Sequence, residues 1–352
     1  MKLISLKING KPIEVVEGTS ILKACELAGE KIPTFCHDKR LVPHGACRIC
    51  VVEVEKARTL VASCTTPVMD GMVVQTHSDK VVRARKDILD LIWAAHDNDC
   101  LKCPNAGECK LQDYCFEYDV ETENKFYPKA LKGHVDASNE FYTFNGDKCI
   151  LCGKCVRVCK ELQGSSSIGF SERGHETRVT HPFEEGMQYS SCVSCSNCVN
   201  VCPTGALKEK TKHKFRAWEI DKKVKTTCTY CGVGCQINLV VKDNKVVRIE
   251  PAEDGVNQGL LCVKGKSAFD FIGHKDRLSV PLIRKEGVLV ESTWEEALDL
   301  VASKMAQVKK DHGADALAAL SSARCSTEDN YVMQKLFRGV IGTNNVDHCA
   351  RL

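Results

Sequence analysis

Apolar and polar residues alternate over Lys2–Ile8, and after Asn9-Gly10 the alternation returns over Pro12–Val16. Period two marks a half-buried strand, and Asn-Gly suits a two-residue turn, so the chain opens on a β-hairpin. Thr19 can cap a short helix, Ser20–Ala28, which Gly29 closes. Farther on the period lengthens. Val81, Val82, Ile88, Leu91, Ile92 and Ala95 recur at helical spacing up to His96. Residues 121–145 are polar and carry few structural signals. Residues 146–206 repeat one pattern twice, Cys-x-x-Cys-x-x-Cys-x-x-x-Cys. Residues 207–226 form a basic linker containing Lys208, Lys210, Lys212, Lys214, Lys222, Lys223 and Lys225. It reads either as a solvated connector or as a contact for an anionic cofactor or acidic partner.

From residue 227 the pattern changes again. Gln236–Leu239 and Lys245–Ile249 read as strands around an Asp243-Asn244 turn. Trp294–Val308 has helical periodicity and follows Ser292-Thr293, a plausible cap. Ala316–Leu320 is a short apolar run that suits a buried parallel strand. Ser326-Thr327-Glu328-Asp329 starts a second helix with Tyr331, Met333, Leu336, Phe337 and Val340 on its apolar side, and Gly342 ends it. Helix and strand alternate here as in an α/β domain, yet only one unit is present. One unit leaves strand edges and helix faces uncovered, so the sequence predicts an α/β domain cut short.

Composition narrows the function. Lys and Arg total 49 against 46 Asp and Glu, a net charge of +3. That balance implies no general attraction to nucleic acid or to a membrane surface. No apolar run approaches the ~20 residues of a membrane span, and the first residues lack the apolar core of a signal peptide. The expectation is a soluble, cytoplasmic protein of a reducing compartment.

The cysteines carry the chemistry. Of 23 cysteines, 19 sort with one histidine into five ligand sets. Cysteines two residues apart on loops suit metal chelation better than a secreted disulfide framework. The first set is Cys36, Cys47, Cys50 and Cys64, in which Gly45 and Ala46 leave room for backbone to approach the sulfurs. With the hairpin and helix it reads as a β-grasp 2Fe–2S ferredoxin domain, although its spacing departs from the plant type. The second set is His96, Cys100, Cys103 and Cys109; it reads as a 4Fe–4S site, with tetrahedral zinc as the competing reading. The repeat supplies two 4Fe–4S sites. The fourth cysteine of each run serves the other site, so Cys149, Cys152 and Cys155 take Cys202, while Cys192, Cys195 and Cys198 take Cys159. The fifth set is Cys228, Cys231, Cys235 and Cys262. Gly232-Val233-Gly234 inside it lacks the context of a dinucleotide fingerprint and reads as a tight ligand loop. Cys25 reads as core, and Cys115, Cys325 and Cys349 as structural.

The order of sets over residues 1–210 resembles the electron-relay module shared by the large iron–sulfur subunit of complex I, multi-cluster iron-only hydrogenases and some cytoplasmic formate dehydrogenases. Cys228-Thr-Tyr-Cys-Gly-Val-Gly-Cys with Cys262-Val-Lys-Gly-Lys resembles the 4Fe–4S domain of molybdopterin oxidoreductases. Ser321-Ser-Ala-Arg and Ile341-Gly-Thr-Asn-Asn-Val-Asp-His-Cys-Ala-Arg-Leu352 look like formate dehydrogenase catalytic subunits. The resemblance implies an α+β multidomain chain. Its parts are a 2Fe–2S ferredoxin domain (1–80), a His/Cys3 4Fe–4S helical segment (81–120), a two-cluster ferredoxin domain (138–210), a 4Fe–4S domain (221–277) and a truncated α/β pterin-binding domain (278–352).

In that family the residue after such a Cys-Ala-Arg-Leu segment is the molybdenum or tungsten ligand, selenocysteine or cysteine, which here would lie one position beyond Leu352. Lys264 would sit between the nearest cluster and the pterin as an electron-relay and cofactor-binding residue; a solvated lysine is the alternative. The resemblance implies oxidation of formate to CO2, or the reverse, at a bis-molybdopterin guanine dinucleotide centre. Electrons would pass through the 228–262 set, the ferredoxin pair, the His set and the 2Fe–2S set to a flavin-NAD(P) subunit, a ferredoxin or a hydrogenase. The rivals are a relay subunit without an active site, an iron-only hydrogenase and a complex I subunit.

Overall fold

The computed structural model describes residues 2–121, 126, 135–211 and 213–349. Lys212, most of the connector around 122–134, and Ala350, Arg351 and Leu352 of the tail segment lie outside the described residues. The chain divides into two compact units, Met1–Ile220 and Asp221–Leu352.

The first unit begins with strands β1 (Leu3–Ile8) and β2 (Lys11–Val16), helix α1 (Ile21–Leu27), and β3 (Val51–Val54), β4 (Val61–Ala62) and β5 (Val73–Gln75). They form one sheet in the order β2-β1-β5-β3-β4, with β1 parallel to β5. Asn9 and Gly10 both take positive φ, as the hairpin turn requires. The cap of α1 is Ser20, not Thr19: its hydroxyl accepts from Lys23 N–H. Ile4, Leu6, Ile8, Ile21, Leu22 and Cys25 pack into the first core together with Cys50 and Cys64.

Helix α2 (Asp79–Ala94) is capped by Ser78, and α3 (Lys110–Glu117) follows the second cysteine loop. The buried stripe of α2 is Val81, Arg85, Leu89, Asp90 and Ala94. Val82 and Leu91, expected on the apolar face, are exposed. Their places are taken by a buried arginine and aspartate, which a hydrophobic template scores as outward-facing.

The repeat region contains β6 (Val135–Asp136), β7 (Tyr142–Asn145), α4 (Lys154–Arg157), β8 (Gly169–Ser171), β9 (Arg178–Thr180), α5 (Asn197–Val201) and β10 (Leu207–Glu209). Strand β10 pairs with β7, so part of the expected basic linker is sheet. Lys208 Nζ bonds Asn105 Oδ1, and Lys210 Nζ bonds the carbonyls of Ala137 and Asn139. Each of these two cations has a fixed acceptor, Lys210 while remaining exposed.

The second unit opens with a three-stranded antiparallel sheet, β11 (Lys222–Thr227), β12 (Gln236–Lys242) and β13 (Lys245–Pro251). Asp243 and Asn244, both at positive φ, form its turn. Helix α6 (Val263–Ser267) and the hairpin β14 (Leu282–Lys285) and β15 (Val288–Glu291) lead to α7 (Trp294–His312), capped by Thr293. Then come β16 (Ala319–Ser321), α8 (Thr327–Lys335) and β17 (Val346–His348), with β16 parallel to β17. Ser326 and Asp329 make a reciprocal capping box on α8. Only part of the predicted apolar side is buried. Ala319, Phe337 and Ile341 form a small core, whereas Leu320, Tyr331, Leu336 and Val340 are exposed. A two-stranded sheet packs on one face, and alternation sends Leu320 to the other.

Candidate functional site

Sequence spacing alone cannot say whether distant cysteines meet. In the first set they do. Cys36, Cys50 and Cys64 are almost wholly buried and Cys47 partly so. The thiols of Cys47 and Cys64 hydrogen-bond to Cys36, and with the amides of Cys47 and Ala46 they hold its thiolate far below the usual range. A bond from Cys64 likewise lowers Cys50 to about 6 against the cost of burial. Gly45 stands at φ +71°, where an added Cβ would lie 3.1 Å from Thr65 Cγ2. The loop therefore turns where the sequence reading placed its freedom.

In the second set Cys100, Cys103 and Cys109 are mutual neighbours. Burial pushes Cys109 up to about 11, with Cys103 and Cys100 adding to it. His96 is buried at the end of α2, and its Nδ1 has no hydrogen-bond partner. Burial, then Lys148, pulls its imidazole down to about 4, so it is neutral. A neutral buried imidazole with an open nitrogen is the form a metal ligand requires.

The repeat gives the clearest test of fit. One cavity is lined by Cys149, Cys152, Cys155 and Cys202. A second is lined by Cys159, Cys192, Cys195 and Cys198. These are the crossed sets. Four cysteines gathered on one cavity are the donor set that an iron–sulfur cluster takes. Among the described residues no group of three or more His, Cys, Asp or Glu is placed to hold a metal ion. Backbone amides point at the rim: Leu151 N–H to Cys149, Ser167 N–H to Cys159 and Ser194 N–H to Cys192, at 3.3–3.4 Å. Crowding and burial push the Cys155 and Cys198 thiols well up, so neither ionises readily without a cation to bind.

The fifth set also converges. Cys235 lies near Cys228, Cys231 and Cys262, and Cys228 N–H bonds the Cys235 carbonyl at 2.8 Å. Gly232 donates to Ala323 O at 3.0 Å, and an added Cβ there would lie a tight 3.1 Å from that oxygen. Lys264 is exposed on α6. The cation buried in that helix is Lys266, which donates to Ile249 O. Among the remaining cysteines, Cys25 is core, burial lifts Cys115 to about 12, and Cys349 is exposed and accepts from Ala323 N–H.

Sequence reasoning missed the groups that tie the sets together. Phe35, Cys36, Ile49, Leu89, Cys109, Leu111, Tyr114 and Cys152 share one apolar core. Arg157, between two ligand cysteines of the repeat, donates from Nη1 to the Cys36 carbonyl at 3.2 Å. The first set thus packs against the repeat as well as against the His96 segment, a more branched adjacency than the expected linear order. Tyr142 was missed too. Its buried phenol lies 3.1 Å from Cys192 Sγ, and burial raises its pKa, keeping the proton available for donation. Hydrogen bonds to sulfur favour the more negative, reduced state. Tyr142→Phe should therefore lower the midpoint of that site by tens of mV, on the order expected for one bond to a charged group. An EPR-monitored redox titration showing no shift would refute the role.

Five family models match consecutive segments. They are a 2Fe-2S iron-sulfur cluster binding domain (1–79), an NADH-ubiquinone oxidoreductase-G iron-sulfur binding region (85–124) and an NADH-quinone oxidoreductase subunit 3 ferredoxin-like domain (141–208). A molybdopterin oxidoreductase Fe4S4 domain (221–274) and a molybdopterin oxidoreductase domain (277–352) complete the run. The chain is 38% identical over 352 residues to an NADH-quinone oxidoreductase subunit of Rhizobium meliloti, covering 99% of this chain and 40% of that protein. It is 36% identical to the NADPH-Fe(3+) oxidoreductase subunit alpha of Geobacter sulfurreducens, with the same coverage. A Staphylococcus aureus protein given a provisional formate dehydrogenase name is 31% identical, covering 98% of this chain and 39% of that one. The chain therefore spans about 40% of the length of these relatives. A crystal structure of an NAD+-reducing nickel–iron hydrogenase aligns with TM-score 0.56 and 29% identity over 61% of this chain and 90% of that chain. Among the described residues no helix is long and apolar enough to cross a membrane.

Proposed function

From a chain that carries molybdopterin oxidoreductase family domains behind 2Fe–2S and 4Fe–4S domains, we propose the electron-relay part of a formate dehydrogenase catalytic subunit. The observation that carries the relay is the pair of cysteine-lined cavities with crossed ligands. The five-part division stated from sequence belongs to the proposal. So do the 20 ligands: Cys36, Cys47, Cys50 and Cys64 for a 2Fe–2S cluster, and the four other sets for 4Fe–4S clusters. When bound, the clusters supply one-electron transfer, and the molybdenum or tungsten pterin supplies two-electron exchange between formate and CO2.

This chain's residues hold those groups, and in the repeat they exclude water from them, whereas Cys231 and Cys262 of the fifth set are exposed. Cys155, Cys159 and Cys198 are buried, and amides 151, 167 and 194 aim at sulfurs. Lys264 is proposed to face the pterin. The catalytic metal ligand, selenocysteine or cysteine, is assigned to the part of such a protein outside residues 1–352. An acceptor subunit and a cytoplasmic location complete the reading.

The formate assignment rests on the tail resemblance and on the Staphylococcus aureus relative. The complex I type of subunit is the second reading, favoured by the relative from Rhizobium meliloti and by the family models over 85–124 and 141–208.

Assembled anaerobically, the 352 residues should bind about 18 iron atoms per chain, four 4Fe–4S and one 2Fe–2S. Stoichiometric zinc with the His96 set would sink that count. A protein extended to the length of its relatives and loaded with metal and pterin should reduce a viologen with formate. If NADH serves and formate does not, the complex I reading takes its place.

A further inference from the structure

Two of the ligand sets meet at a hydrogen-bonded seam. Asp97, which follows His96, donates its N–H to Asp147 O at 2.8 Å, and Lys110, which follows Cys109, donates to Pro203 O at 2.9 Å. Thr204 Oγ1 donates to Lys148 O at 2.7 Å. Lys148 Nζ reaches back across the seam to Asp97 Oδ2 at 2.6 Å. Lys148 precedes Cys149, and Pro203 follows Cys202. The bonds from Asp97, Lys110 and Lys148 Nζ therefore link neighbours of one set to neighbours of the other. Gly205 stands at the centre. A Cβ there would lie 3.0 Å from Cys103 Sγ and 3.5 Å from Lys148 Cδ. The lysine stem and the cysteine sulfur thus flank a single glycine.

Lys148 is unusual in its depth. Its side chain is 10% exposed, against 30% for Asp97. The charged and titratable groups around it are Asp97, His96, Cys100 and Cys103. A buried cation held this close to sulfurs acts through a low dielectric, whereas the carboxylate that anchors it lies nearer water and is screened more. Adding an electron to the site adds negative charge, which such a cation stabilises.

We propose that Lys148 is a positioning residue that sets the reduction potential of the His96/Cys100/Cys103/Cys109 site, held by Asp97 at the seam with the Cys149/Cys152/Cys155/Cys202 site. This rests on reading both sets as cluster sites. Lys148 supplies charge and no ligand, and the ion pair with Asp97 fixes where that charge sits.

The test is an EPR-monitored redox titration of the 352-residue chain, reconstituted anaerobically, as wild type, Lys148→Met, Lys148→Arg and Asp97→Asn. Lys148→Met should make the His96-set site harder to reduce by about tenfold in its one-electron equilibrium, about 59 mV. Lys148→Arg should restore most of the shift, because it keeps the charge. Asp97→Asn should move the midpoint upward, since it removes the opposing charge. Equal shifts in the Met and Arg variants would mean packing alone and overturn the proposal. So would an unchanged midpoint in Lys148→Met, or a downward shift in Asp97→Asn. If Lys148→Met loses the cluster, the direction of Asp97→Asn decides. Loss of the cluster in both variants, with circular dichroism retained, makes Lys148 a folding element and also overturns it. An absence of any cluster signal in the wild type would instead sink the cluster reading of the set.

Discussion

Removing Cys149 and Cys202 together should leave one unaltered four-iron signal from the repeat, whereas removing Cys149 and Cys159 together should alter both. A three-thiolate site keeps at most a three-iron or solvent-ligated cluster. Both variants delete two cysteines, so their difference reports connectivity alone. Cys149 and Cys202 line the same cavity, and Cys159 lines the other. The first variant strips one site to two sulfurs, too few to hold a cluster, and costs about four irons. It leaves Cys159, Cys192, Cys195 and Cys198 untouched. The second variant wounds both sites at once, leaving each with three sulfurs. An uncrossed arrangement reverses the outcome. Iron analysis and EPR of the dithionite-reduced chain decide between them. An unaltered four-iron signal in Cys149→Ala/Cys159→Ala would show that the cavities misassign the fourth ligand.

The crossed grouping was legible in the spacing of the repeat, a local signal, by the rule of two-cluster ferredoxins, and the two cavities gather the same cysteines. The hairpin at Asn9-Gly10 and the cap at Thr293 were legible for the same reason: each is decided within a few residues. What could not be read is nonlocal. Arg157 looks like a surface residue of a short helix until the loop of Cys36 is laid over it. Lys208 and Lys210 look solvated until Asn105 and the carbonyls of Ala137 and Asn139 arrive from elsewhere in the chain. The order of sites along the chain was an equally poor guide to adjacency. Cys36, Cys109 and Cys152 belong to three sets yet share one core. Exposure in the second unit failed differently. Tyr331, Leu336 and Val340 keep helical spacing, but the small core there covers only Met333, Phe337 and Ile341.

Arg85→Met should destabilise the region around the first two sets by about 3 kcal/mol, the scale for removing a buried, hydrogen-bonded charge. Arg85 is fully buried in the stripe of α2. Its Nη1 donates to Tyr118 Oη at 2.8 Å and its Nη2 to Val51 O at 2.9 Å. The guanidinium also lies 6.0 Å from the Tyr118 ring centroid. Val51 follows Cys50, a proposed ligand, and α2 leads to His96, so one side chain braces both proposed sites. Methionine matches the stem but leaves a buried carbonyl and a buried phenol without their donor. For a unit of this size the cost corresponds to a fall of roughly 6–12 °C in the midpoint of thermal bleaching of the iron–sulfur absorbance. Arg85→Lys, which keeps the charge but cannot fork to both acceptors, should fall between wild type and Arg85→Met. A Met variant that bleaches within about 2 °C of wild type would show that apolar packing compensates for the lost bonds, as it does for some buried ion pairs. Arg85 would then be an incidental charge in the core, and the bracing of Cys50 and His96 would have to come from Phe35, Ile49 and Leu89 instead.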